Sequence, residues 1–312
     1  MQVRLRRSSF SIAGRKSRES GTGGRFARFG MLVLFGLGSA LAQTGQVRVI
    51  AFGAHPDDCD LGAGGTGALF ASTGHAFKCV ALTNGDAGHQ SMGGGALAKR
   101  RRAEAQEAGR RFGFQYDVLD NHDGELLPTL EVRHQVIRKI REWNADVVIS
   151  PRPNDYHPDH RYTGVVVQDS AYMVVVPNIC PDTPPLRKNP VFLYFQDRFT
   201  KPTPFRPDIV VDITAVFDKK IDALDAHASQ FYEWLPWVDG NLDKVPKDPA
   251  ERKKWLYEWR EREIPPAVRA SLEKWYGRER AAKVEQAESF EITEYGRQPS
   301  DDEVRRLFPM LK

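Results

Sequence analysis

The chain has 312 residues, 41% hydrophobic and 28% charged, with a mean hydropathy of −0.49. That composition excludes collagen-like, mucin-like and wholly disordered chains and is enough to bury a full core. The net charge of +4 is unevenly placed: residues 1–42 carry eight Lys and Arg against Glu19 alone, so the remainder is mildly acidic. An acidic body has no electrostatic footprint for nucleic acid, and none is expected as a partner.

The first predicted element is a leader, residues 1–42. Its first thirty residues are rich in Arg, Ser and Gly and have no apolar period. Met31 to Ala42 is a run of twelve apolar or small residues, too short to span a bilayer and sized for the core of a signal peptide. Ala40-Leu41-Ala42 is a small-x-small site, which places cleavage before Gln43. The expectation is export to the periplasm or the medium, with no stable membrane insertion after cleavage. A disordered tail is the alternative. Arg6-Arg7 suggests a twin-arginine signal, but the apolar core begins some twenty residues later, which is far for that motif.

From Gln46 onward, short apolar runs alternate with helical periods. Strands are expected at 47–52, 77–83, 115–119, 146–150, 191–195 and 209–213. Helices are expected at 61–72, 96–112, 130–143, 161–176 and 215–231. Val132, Val136, Ile137 and Ile140 share one helix face, as do Phe217, Ile221, Leu224 and Ala228. This alternation argues an α/β domain over residues 46–231, a Rossmann-like, mostly parallel sheet with helices on both faces. Residues 232–312 hold five of the six tryptophans amid dense charge. They are expected to form a mainly helical extension packed on the main domain, with an aromatic platform for carbohydrate as the sharper alternative. Cys59, Cys79 and Cys180 are odd in number and widely spaced, so no disulfide framework is legible.

Polar clusters follow the first four strands. They are Ala54-His55-Pro56-Asp57-Asp58, Thr83-Asn84-Gly85-Asp86, Asn121-His122-Asp123-Gly124-Glu125 and Asn154 to His160. In an open parallel sheet the carboxyl ends of the strands form the ligand crevice, so all four should converge on one edge. His55, Asp58 and His160 make a mixed N/O set suited to zinc, with positions left open for water. Asp57 adjoins a ligand while pointing elsewhere, which suits it to taking a proton from the water. His157 precedes His160 by three residues and can face the same cavity.

These motifs carry a resemblance. Ala54-His-Pro-Asp-Asp58, Leu82-Thr-Asn-Gly-Asp86, Arg101-x-x-Glu104, Asp123-Gly124, His157-Pro-Asp-His160-Arg161, Asp212-Ile213 and His227-Ala-Ser-Gln230 resemble the LmbE / PIG-L family of zinc-dependent N-acetylglucosaminyl deacetylases. The resemblance covers residues 47–231. It implies one Zn2+ per chain, with another divalent ion such as Fe2+ as the alternative, held by His55, Asp58 and His160. It implies Asp57 as general base and His157 as oxyanion stabiliser and acid, oriented by Asp159. Arg101 and Asp123 would touch a small-molecule or oligosaccharide substrate bearing an N-acetyl group. Asn84 stands where many relatives carry Arg, and the tryptophan-rich segment is absent from the minimal family domain, so the substrate stays open. Hydrolysis of a non-sugar N-acyl compound, or carbohydrate binding without catalysis, are the competing functions.

One motif points elsewhere. Gly62-Ala-Gly64-Gly-Thr-Gly67 matches the G-x-G-x-x-G dinucleotide fingerprint, with Asp86 about 20 residues on. In that fingerprint the first glycine leaves the strand directly. Here residues 53–61 intervene and carry the His and Asp cluster, so the glycines are expected to serve close helix packing.

Overall fold

The computed structural model describes residues 45–311; the expected signal segment lies outside them. The first apolar run forms β1 (Arg48–Gly53), and its alternating side chains divide the core. Val49 and Ala51 pack with Cys59, Ala63 and Phe70 of helix α1 (Asp58–Ser72) and Ala105 of α2 (Gly94–Phe112). Ile50 and Phe52 face the other way, onto Val136, Ile137 and Ile140 of α3 (Leu130–Trp143) and Val166 and Val167 of α4 (Pro158–Met173). A strand presents successive residues to opposite faces, so a run buried throughout requires helices on both.

Strand β1 lies between β2 (Ala76–Thr83) and β4 (Val147–Ser150), with β3 (Gln115–Asn121) outside β2 and β5 (Val191–Phe195) outside β4. All these pairings are parallel. The chain therefore adds strands to one side of β1 and then switches to the other. β6 (Ile209–Asp212) forms the far edge, followed by α5 (Phe217–Leu224) on the α1 face.

The glycines of α1 pack as expected. A Cβ on Gly62 would lie 2.6 Å from the Phe195 ring, one on Gly64 2.5 Å from Phe112, and one on Gly67 2.8 Å from both Phe77 and Phe114. Gly64→Ala should cost about 1–3 kcal/mol through overpacking, read by urea unfolding. An unchanged midpoint would mean that Phe112 gives way freely.

Two expectations need correction. The helix expected over 215–231 is interrupted: α5 ends at Leu224 and a π-helical turn, Ser229–Trp234, follows. At the break the Asp225 carboxylate accepts from Arg111 at 3.0 Å and from the Tyr232 hydroxyl at 2.7 Å. The second correction concerns the C-terminal segment. It does carry helices, α6 (Leu235–Val238), α7 (Pro249–Arg260), α8 (Pro266–Tyr276), α9 (Arg278–Ala281) and α10 (Asp301–Leu307). It also carries β7 (Ala287–Gly296), which runs antiparallel between β5 and β6 and completes the seven-stranded sheet. The segment is thus part of the main fold. Glu288 of β7 accepts the Gly65 and Thr66 backbone N–H groups at 2.9 and 2.7 Å and the Lys220 ammonium at 2.6 Å. Lys220 also donates to the Leu61 carbonyl at 2.8 Å, so β7, α5 and α1 meet in one buried polar knot. Cys59, Cys79 and Cys180 are free and buried. No helix among the described residues is long and apolar enough to cross a membrane.

Candidate metal centre

The reversal between β1 and β4 creates the crevice, and the loops leaving these two strands supply its residues. After β1 the chain turns at once into α1. Asp58 Oδ2 closes the turn by accepting the N–H groups of Ala54 and His55, both at 2.8 Å. A Cβ on Gly53 would stand 2.7 Å from that of Asp58, so the turn requires a glycine there. After β4, His157 caps α4 and His160 lies in its first turn.

Three side chains converge. His55 Nδ1 and His160 Nε2 face each other at 3.2 Å. The Asp58 carboxylate lies 3.5 Å from the first and 3.4 Å from the second. Ligands about 2.1 Å from a zinc-sized ion in a tetrahedral shell stand about 3.4 Å apart. The outer nitrogens of the two rings are directed to carboxylates. His160 Nδ1 lies 3.0 Å from Asp155 Oδ1. His55 Nε2 lies 3.1 Å from Asp123 Oδ1 and 3.4 Å from Asp159 Oδ2, in line with neither. The Asp155 carboxylate behind His160 holds that ring's proton outward and leaves its inner lone pair for a metal, and the acids near His55 Nε2 favour the same tautomer there. Two such lone pairs at 3.2 Å repel unless a cation joins them.

Other sets also gather within 4.8 Å: His55, His157 and His160, and His55, Asp123 and Asp159. Their atoms are already engaged. His157 Nδ1 accepts the Asp159 N–H at 3.2 Å, Asp159 accepts the N–H groups of Gly124 and Leu126, and Asp123 faces Arg101 at 3.5 Å. His55 Nδ1, His160 Nε2 and Asp58 Oδ2 stand within 3.5 Å of one another, the spacing a zinc-sized ion needs, and could hold a metal.

The electrostatics agree. Burial opposes charge on both rings, but the facing carboxylates outweigh it, lifting His55 well above the usual imidazole range and His160 to about 10. Burial would raise Asp58, yet the two histidines hold it well below the usual carboxylate range. A potential that retains these protons suits a divalent cation, which competes with them for the same lone pairs.

Asp57 is buried beside this set, and burial raises its affinity for a proton despite the nearby Arg101. Arg101 Nη2 donates to Asp57 Oδ1 at 3.2 Å, while Nη1 lies 3.5 Å from Asp123 Oδ2. This buried guanidinium is a strut between two acids, a pairing that the residue spacing did not reveal. His157 is half-buried, and its affinity for a proton is lowered by burial and by the neighbouring rings.

Asp159 does contact His157, though not through its side chain. The backbone N–H of Asp159 makes the contact, as a helix N-cap does, while its carboxylate lies underneath on the loop after β3. Several residues of the expected clusters make contacts that the sequence did not indicate. Asp155 backs His160, and Asp86 holds the Asp123 N–H at 3.0 Å and His122 at 2.7 Å. The acid five residues before His160 was the one legible signal. Cys59 is no ligand, because its thiol donates to the Ala51 carbonyl at 3.3 Å on the sheet side.

A model of the PIG-L family, described as GlcNAc-PI de-N-acetylase, matches residues 50–171. The diacetylchitobiose deacetylase of Thermococcus kodakarensis is 30% identical over 203 residues, covering 61% of this chain and 73% of the relative. The chain belongs to the PIG-L (LmbE-like) family. Deacetylases of this family are hydrolases that depend on a metal. The solved N,N'-diacetylchitobiose deacetylase from Pyrococcus horikoshii, complexed with the inhibitor MPG, superposes with a TM-score of 0.58 at 27% identity. That match covers 78% of this PIG-L chain and 83% of the other. Another relative, the 4-oxalmesaconate hydratase of Pseudomonas putida, is 26% identical over 200 residues, 62% of this chain and 77% of its own.

Proposed function

We propose that the protein removes the acetyl group from an N-acetylated amino sugar or glycoconjugate, with one zinc ion held by His55, Asp58 and His160. The observation that carries this is the approach of His55 Nδ1 and His160 Nε2 to 3.2 Å, each backed by carboxylates. Zinc bound there supplies Lewis acidity for the amide carbonyl and lowers the pKa of water. Asp57 accepts the proton of the attacking water; its buried position raises its basicity toward the working range. Arg101 fixes that carboxylate through one oxygen and leaves the other for the proton. His157 accepts a backbone N–H at Nδ1, so a neutral ring carries its proton on Nε2, from which it donates to the carbonyl oxygen as negative charge develops. The amide C–N bond then breaks, and the proton held by Asp57 leaves with the amine. Asp123 and Arg101 border the place of the sugar.

The relatives named for diacetylchitobiose support an amino-sugar substrate. The hydratase relative supports a second reading, water addition to an unsaturated acid. An acetate-release screen over N-acetylated mono-, di- and oligosaccharides separates the two. The expected result is turnover that chelation abolishes and stoichiometric zinc restores. Restoration by Fe2+ alone would replace the ion, and turnover of only non-sugar amides would replace the substrate. No acetate from any amide would remove the deacetylase reading of this site. We further propose export, supported by the apolar run from Met31 to Ala42. A mature protein beginning at Gln43 outside the cytoplasm is the expected result, and one beginning at Met1 inside it overturns the placement.

A further inference from the structure

The tryptophan-rich segment reaches the edge of the metal centre and is clamped there. Ser229 donates to Glu104 through its N–H at 3.1 Å and its hydroxyl at 2.5 Å. Gln230 donates to the Gly88 carbonyl at 3.1 Å. Glu233 accepts both terminal nitrogens of Arg100, at 2.8 and 2.5 Å, and lies 2.7 Å from His89. These bonds join the π-helical turn to α2 and to the loop after β2 and fix the next residue, Trp234.

Gly88 lies where this segment meets the residues beside the metal centre. A Cβ there would stand 3.0 Å from Arg101 Nη1, 3.2 Å from Asp123 Oδ2 and 3.8 Å from Trp234 Nε1. The backbone at Gly88 is not in the left-handed region, so its conformation does not demand a glycine. The Gly88 backbone is thus packed against a guanidinium, a carboxylate and an indole N–H, which places Trp234 in one cluster with Arg101 and Asp123. Trp237 stacks on Trp234, with ring centroids 5.4 Å apart and planes 16° apart, and remains 50% exposed. A flat apolar face next to a cluster of donors and an acceptor matches a pyranose, which has an apolar C–H face and a rim of hydroxyls. A separate cleft of about 290 Å³, lined by Pro236, Trp255 and Trp259, includes none of the residues of the metal centre.

We propose that Trp234 and Trp237 form a subsite for an oligosaccharide. Trp234 Nε1, Asp123 and Arg101 bind hydroxyls of the ring being deacetylated, and the face of Trp237 carries the adjoining ring. The inference rests on the amino-sugar reading above and extends it to chain length. It also assigns a role to a segment that lies outside the minimal family domain.

The test compares kcat/KM for N-acetylglucosamine and for its β-1,4-linked di- and trisaccharides in the wild-type protein and in Trp237→Ala, Trp237→Phe and Trp234→Phe. The wild type should prefer the disaccharide to the monosaccharide. Trp237→Ala should erase about tenfold of that preference, the size of one aromatic stacking contact, through KM and not kcat. Trp237→Phe should restore most of it. Trp234→Phe, which keeps the ring and removes the N–H, should weaken every sugar. Disaccharide-induced quenching of tryptophan fluorescence should shrink in Trp237→Ala. Absence of a length preference in the wild type, or its survival in Trp237→Ala, would overturn the subsite while leaving deacetylation intact. Failure to act on any sugar would overturn the amino-sugar reading, and the subsite with it.

Discussion

Asp57→Asn is expected to keep its metal and to lose at least about 10²-fold in kcat, the low end for removal of a general base. Asp58→Asn is expected to lose metal affinity, because it withdraws an anion from the set that His55 and His160 complete. The two acids are adjacent in sequence but differ in surroundings. Asp58 is held by the Ala54 and His55 N–H groups and lies within 3.5 Å of both imidazole nitrogens. Asp57 is held by Arg101 at 3.2 Å, away from that set. Metal content by mass spectrometry, read beside the deacetylation rate, separates them. Equal loss of metal in both variants would show that Asp57 also holds the ion.

The largest expected effect on stability lies at Glu288. Glu288→Ala should cost about 3–5 kcal/mol, because it strands the Lys220 ammonium in the core. The variant also leaves the Gly65 and Thr66 N–H groups without the acceptor that β7 brings them. Urea unfolding measures the loss. Replacing Lys220 and Glu288 together by Met should recover much of it, since an apolar pair of similar volume removes the uncompensated charge. A cost below about 1 kcal/mol for Glu288→Ala would mean that β7 is anchored by its strand pairing alone.

Local rules account for the features that could be read from the chain alone. Buried runs such as Val49–Phe52 read as strands of a covered sheet because period-two burial on both faces leaves no polar positions. The polar clusters read as one site because parallel strands end on a common edge, and His55, Asp58 and His160 do meet there. The glycines of α1 read as packing contacts because the expected metal loop already occupied the place of a phosphate loop.

Residues whose partners are distant in the chain carried no such local signal. β7 carries Glu288, Glu291 and Glu294 and pairs with strands about 80–100 residues earlier, so its charges resemble an exposed helix until Lys220 and α1 are placed against it. The direction of Asp159 depends on the loop after β3, whose N–H groups take the carboxylate away from His157. The Arg101 strut and the place of Trp234 beside Gly88 exist only once α2 and the C-terminal segment close over the crevice. Periodicity reports which face of an element is buried, but the partner found there is set by packing between elements, and so the convergence of the clusters was legible while their supports were not.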